Sequence, residues 1–241
     1  MKRLIILTLG LAGSILLSAS NDDCLNLFKR ITEKARAQRV LMVKSGFEMN
    51  CHVKVIQAAG QIFEDDLIVR LHAKKYHYKS KSIAMYLDDR NFVAIQNDSK
   101  VIFIAKAQAA AGQKDQFTQA LSIMDSLQRH MVFKSCTKEF GTVSKDEGYH
   151  KIVFAPSGEI RKAGIDGIVY WLSEAEASVK KILVRYAEGN EYGLKEYELI
   201  INKLSYTYDG DVFKGESVGR VLKNNSLLPE FKDFQLVDKR N

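Results

Sequence analysis

The chain has 241 residues, with 36 basic against 29 acidic side chains and a net charge of +7. The basic residues are scattered among acidic ones, so no run marks a nucleic-acid stripe, and three cysteines, Cys24, Cys51 and Cys136, allow at most one internal disulfide. A length of this order suits one all-β sandwich or barrel with a substantial core, and no repeat, low-complexity stretch or linker suggests a second domain.

Met1, Lys2 and Arg3 precede the apolar run Leu4 to Leu17, and the small residues Ser18, Ala19 and Ser20 follow it. These are the charged, apolar and cleavage regions of a secretion signal. A spanning helix needs roughly 20 apolar residues, more than this run offers. Residues 1 to 20 are therefore expected to be a cleaved signal, with Asn21 as the mature N-terminus and about +5 of net charge left once Lys2 and Arg3 are gone. An acylated cysteine would follow the small residues directly, whereas Cys24 lies beyond Asp22 and Asp23. The mature residues 21 to 241 are expected to form a single soluble domain in an oxidising compartment, where a disulfide persists; acylation of Cys24 is the alternative.

Residues 24 to 42 predict an amphipathic helix: Leu25, Phe28, Ile31 and Ala35 recur at helical spacing among charged neighbours, and Asp22 or Asp23 precedes them. The period then changes from three or four to two. Phe47, Met49, Cys51, Val53 and Val55 alternate with Glu48, Asn50, His52 and Lys54, which predicts a half-buried strand with the first set facing inward. Short strands follow at Asp66 to Ala73, Tyr76 to Lys81, Ser82 to Leu87, Phe92 to Gln96 and Val101 to Ala105. The turn-forming stretches Asp88 to Asn91 and Asn97 to Lys100 separate the last of them, so the pattern reads as a meander. A small, polar segment from Lys106 to Lys114 leads into a second helical pattern at Phe117, Ala120, Leu121, Met124, Leu127 and Met131. Further strands are expected at Met131 to Cys136, Phe140 to Val143, Tyr149 to Ala155, Gly167 to Leu172, Val179 to Tyr186, Glu196 to Tyr206 and Asp233 to Val237.

Local signatures of catalysis are missing. No histidine pair has zinc-helix spacing, the cysteine spacing matches no metal or redox motif, and no G-x-S-x-G elbow or phosphate loop occurs. The histidines His52, His72, His77, His130 and His150 read as surface residues. The carboxylate pairs Asp65-Asp66, Asp88-Asp89 and Glu174-Glu176 read as solvated turns. Neither a metal nor a cofactor is expected, and no residue is singled out as catalytic. A site assembled from distant residues stays open as a third reading, because such sites escape local patterns.

What remains is a sheet face with bulky candidates: Phe47, Met49 and Val53 from one strand, Ile152 and Phe154 from another, Val169 and Trp171 from a third, and Ile182, Val184 and Tyr186 from a fourth. With Leu121 and Met124 from the second helix they would form either a closed core or a ligand cavity. Every sheet needs a buried face, so both readings are open on the residues alone.

The order of elements resembles the periplasmic outer-membrane lipoprotein carriers, the LolA-like family. The likeness rests on the signal, the N-terminal helix, the strand Phe47 to Val55 and the meander SIAMYLDDRNFVAIQNDSKVIFIAKA. It continues through the insertion DQFTQALSIMDSLQRHM and the later segments HKIVFAP and VKKILVRY. The resemblance implies a mainly β fold with some α: an antiparallel incomplete barrel, with an N-terminal helix and a helical lid inserted between two meanders. It further implies a non-catalytic periplasmic carrier whose concave apolar face holds the acyl chain of a lipoprotein or another amphiphile, with envelope membrane proteins as further partners. An envelope scaffold that uses the same fold with a filled core is the alternative.

Overall fold

The computed structural model describes residues 21–110, 130–141, 143 and 148–240. It opens with helix α1 (Asn21–Ser45). Cys24, Leu27, Phe28 and Ile31 are buried, at the spacing by which one stripe of a helix packs on a sheet. This stripe passes through Cys24 and Leu27 rather than the expected Leu25. It is in phase with a disulfide from Cys24 to Cys136, whose Cα atoms lie 6.3 Å apart, and Cys51 stays free and buried.

Gly46 separates α1 from the sheet at φ 78°. A Cβ there would collide with the Tyr208 carbonyl, so glycine alone permits both the left-handed backbone and the close approach. The first meander then runs through β1 (Phe47–Gln57), β2 (Ile62–His72), β3 (Lys75–Lys79), β4 (Ile83–Leu87), β5 (Asn91–Gln96) and β6 (Val101–Lys106). The second comprises β7 (Met131–Phe140), β8 (Gly148–Pro156), β9 (Ile165–Ser173), β10 (Ser178–Tyr186) and β11 (Leu194–Ser205). β1 and β11 pair antiparallel and join the two meanders.

The C-terminal segment forms a small hairpin of β12 (Leu222–Lys223) and β13 (Ser226–Leu227). Its two turn residues, Asn224 and Asn225, both have positive φ, as two-residue hairpin turns require. The last strand, β14 (Gln235–Lys239), pairs parallel with β6. Among the described residues this gives one mixed, twelve-stranded sheet that does not close, with β14 and β7 at its two ends. The mainly β, open-sheet architecture with an N-terminal helix agrees with expectation; the parallel β14 departs from an all-antiparallel sheet.

Three local expectations need correction. β2 starts at Ile62, so Asp65-Asp66 lies within a strand rather than a turn. The cross-strand pairs Lys54 with Glu64 at 2.8 Å and His52 with Asp66 at 2.9 Å accompany this acidic stretch. Phe140 ends β7 instead of opening a strand of its own. Met131 begins that same strand and His130 lies in the turn before it, and residues 115–129 of the expected second helix, Leu121 and Met124 included, lie outside the described residues.

The pairing register assigns the faces. On one face the ladder aligns Phe47 with Leu71 and Met49 with Val69, continuing through Tyr76 and Tyr78 to Leu87, Met85 and Phe92. In the second meander the same face carries Cys136, Ile152, Phe154, Ile168, Tyr170 and Ile182, which pack with the buried stripe of α1. Each such side chain, taken fully from water, contributes roughly 1.5–3 kcal/mol before chain entropy is subtracted. On the opposite face, Val218, Val221 and Leu222 from the C-terminal segment cover Val93, Ile95, Ile102 and Ile104. Asp88 anchors that segment by accepting the Ser217 backbone N–H at 2.6 Å.

Candidate functional site

The described residues contain an open cleft of about 340 Å³ between the C-terminal half of α1 and strands β10 and β11. Helical spacing from the buried Ile31 brings Ala35 to its helix wall, and Val179, Ile201, Leu204 and Tyr206 form the sheet wall. A shift in the β1–β11 register falls at Asn50 and Cys51. It puts Ile201 opposite Cys51 and Leu204 opposite Met49, so residues three apart share a face that simple alternation would separate.

The rim is polar. Lys34 and Gln38 come from α1, and Lys180 and Glu176 from the β9–β10 side, where Lys180 and Glu176 form an ion pair at 2.5 Å. The Ser178 hydroxyl also lines the cleft, and it is buried with no hydrogen-bond partner among the described residues. An apolar floor under a rim with two lysines has the general composition of a site for a small apolar or amphipathic molecule, and its volume lies in the lower part of the usual ligand-pocket range. Among the described residues, no side chain of the cleft pairs a nucleophile with a base.

The expected site residues disperse around this cleft rather than lining it. Phe47 is 3% exposed, with its ring 5.8 Å from that of Tyr206, and Met49 joins the same cluster through Leu204. Val53 shares their face and stands opposite Leu199. Phe154 sits among Phe28 at 4.9 Å, Tyr170 at 5.9 Å and Phe133 at 6.1 Å. Together with Ile182 it fills the space beneath the first half of α1, and Val184 packs at its margin. Tyr186 is half-buried with its phenol pKa raised by burial, and its ring is 6.4 Å from Tyr192.

Trp171 belongs to the other face, and Val169 goes with it: they pack with Tyr149 and Leu183, away from α1. The indole N–H donates to Glu139 at 3.0 Å, and the Lys181 ammonium lies 4.9 Å from the ring centre. Burial opposes the charge on Glu139, but Lys151 and the Trp171 donor outweigh it and hold the carboxyl below its ordinary range.

Charge is also buried where an exterior face was expected. Glu48 is 4% exposed and pairs with Arg70 at 2.8 Å and with Lys203. Burial works against its ionisation, yet the two cations win and the carboxyl pKa is lowered. Two histidines likewise depart from the surface reading: His77 is 2% exposed and His150 8%. Alternation does not reveal that Ile201 and Leu204 share a face, because a bulge lies between them. The alternation of β11 made only its strand character visible.

No protein-family model matches this chain, and no curated protein sequence does. Solved structures of similar fold include an uncharacterised conserved protein from Thermus thermophilus, at 8% identity over 90% of this chain and 99% of that one, with a TM-score of 0.37. A LolA-superfamily protein from Nitrosomonas europaea is 8% identical over 79% and 98%, with a TM-score of 0.31. The MucA/MucB complex of Pseudomonas aeruginosa is matched at 14% identity over 81% of this chain, which spans 62% of that one, with a TM-score of 0.37.

Proposed function

We propose that the mature chain, residues 21 to 241, is a non-catalytic periplasmic binding protein. It holds the acyl chain of a lipidated protein, or another amphiphile, between α1 and the sheet. The observation that carries this reading is the cleft: Ile31, Val179, Ile201 and Leu204 offer an apolar floor, and Lys34 and Lys180 stand at the rim where an anionic head group would emerge. Transfer of an acyl chain from water gains about 0.8 kcal/mol per buried methylene, so binding needs no cofactor. Export is supported by the signal pattern of residues 1 to 20 and by the Cys24–Cys136 disulfide, a bond typical of oxidising compartments.

The test is titration of a dansyl-labelled fatty acid into the purified mature protein. Saturable binding is expected. Val179→Glu should weaken it at least tenfold, because a carboxylate on the cleft floor must be desolvated by the bound chain, while Lys232→Glu, an exposed change on the C-terminal segment, should leave it unaltered. Circular dichroism checks that both variants fold. Absence of saturable binding by the parent protein, with no lipid co-purifying by mass spectrometry, overturns the reading. It would favour the alternative, an envelope scaffold with a filled interior, which the close packing of Phe28, Phe154 and Tyr170 supports.

A further inference from the structure

Three metal-ligating side chains converge at the N-terminal end of α1, away from the cleft. Cys24 comes from α1, Cys136 from β7 and His150 from β8, all are buried, and one ligand atom from each lies within 4.8 Å of the others. The Cys24 sulfur is 3.7 Å from His150 Nδ1. In a tetrahedral zinc site, with Zn–S near 2.3 Å and Zn–N near 2.05 Å, the sulfur–nitrogen edge is about 3.6 Å. That edge already exists while the sulfurs are bonded to one another.

The other side of the imidazole is also arranged. His150 Nε2 is 3.2 Å from the Glu174 carboxylate, whose side chain is largely exposed. A carboxylate on the second ring nitrogen fixes the tautomer that leaves Nδ1 as a lone-pair donor, as the outer partners of zinc histidines do. Sequence spacing conceals this group, because its three members come from three separate elements.

We propose that this cluster is a redox-gated site for a thiophilic divalent cation such as Zn²⁺. In the oxidised protein the Cys24–Cys136 bond closes it. A dithiol reductant breaks that bond by exchange: its two thiols become a disulfide, and Cys24 and Cys136 each gain a hydrogen. Binding then releases those two protons, and the two thiolates and His150 Nδ1 hold the cation, with water in the fourth position. The sulfurs must part from bonding distance to about 3.8 Å, the S–S edge of a tetrahedral site, a movement that rotation of two side chains supplies. The site therefore exchanges a covalent cross-link between α1 and β7 for a coordinate one and keeps the helix end attached in both redox states.

The experiment uses the mature chain carrying Cys51→Ala, which removes the remaining thiol. After reduction with dithiothreitol and anaerobic desalting, Co²⁺ is titrated and the thiolate-to-cobalt charge-transfer band in the near ultraviolet is followed. Zn²⁺ affinity is then measured by competition. A stoichiometry of one is expected for the reduced protein and no band for the oxidised one. His150→Ala should weaken Zn²⁺ by at least a hundredfold, and Glu174→Gln by ten- to a hundredfold. If reduction alone unfolds the chain, Zn²⁺ should restore the β-sheet dichroism of the parent and not of His150→Ala. Equal affinity in the parent and His150→Ala, equal binding by the oxidised protein, or no metal-dependent band or refolding at all would each overturn the proposal.

Discussion

His77 lies on β3 beneath the C-terminal segment, stacked on Tyr86 with ring centres 4.6 Å apart, and neither ring nitrogen has a hydrogen-bond partner among the described residues. Burial, reinforced by Arg70, Lys79 and Arg220, pushes its pKa down from 6.5 to about 4. Above pH 6.5 the imidazole is neutral in both folded and unfolded chains and contributes nothing to pH dependence. As the pH falls towards 4, the unfolded chain takes up a proton that the folded one refuses, so stability declines. The full loss is about 3 kcal/mol at 1.36 kcal/mol per pKa unit. The carboxyls of Glu48, Asp88 and Glu139, all lowered, add to acid sensitivity as they protonate at lower pH. Urea unfolding at pH 7 and pH 4.5 is expected to show a smaller acid loss in His77→Phe, by about 2 to 3 kcal/mol; equal losses would contradict this account of His77. Its burial is not visible from the local sequence, since the segment that covers it is remote in the chain.

At the scale of the element, α1 and β1 were legible because the apolar residues of each recur with a clear period, although β1 also buries Glu48 on its other face. β9 was half legible. Its residues Ile168 to Ser173 are all buried, and a strand covered on both sides reveals that it is a strand without revealing which residue faces which way. Bulk alone therefore groups Trp171 with Phe154, although the register sets them on opposite faces. The tie between α1 and the sheet is concentrated at Phe28, whose ring packs on Phe154 and Tyr170 at 4.9 and 5.2 Å. Phe28→Ala is expected to cost about 3–5 kcal/mol, through the lost burial and the cavity left behind, read as a fall in the urea midpoint. A change under 1 kcal/mol would mean that the disulfide alone seats the helix. The candidate cleft was not legible at all, because its walls meet only where a bulge offsets β11.

For the molecule as a whole, the C-terminal segment turns a bare sheet face into a core. Ending the chain after Tyr208 would remove Val218, Val221 and Leu222 and uncover Val93, Ile102 and Ile104, all at 0% exposure in the full chain. It would also strip β14 from the edge of β6 and leave unpaired backbone groups there. The truncated protein is expected to self-associate in sedimentation velocity, whereas the chain of residues 21–241 stays monomeric at the same concentration. A monomeric, cooperatively unfolding truncation would show that the segment is an accessory. The two-meander order could be read from turn chemistry and alternation, and the strand expected at Asp233 to Val237 is met by β14, but the cover from Val218 to Phe231 could not, since it is short and irregular and shows no period.

The seam between β1 and β11 sets an order of assembly. Residue 52 faces residue 200 across it, whereas every other antiparallel pair in the sheet, among the described residues, joins strands adjacent in sequence. Hairpin neighbours close small loops quickly, and the seam must wait for a long one, so the two meanders form first and the seam is the slow, non-local step. When the chain appears from its N-terminus onward, β1 emerges early and its partner much later, leaving β1 with one open edge in the interval. Cys136 precedes β11 in the chain, so the bond to Cys24 can form before the seam closes, shortening the loop that the final step has to gather.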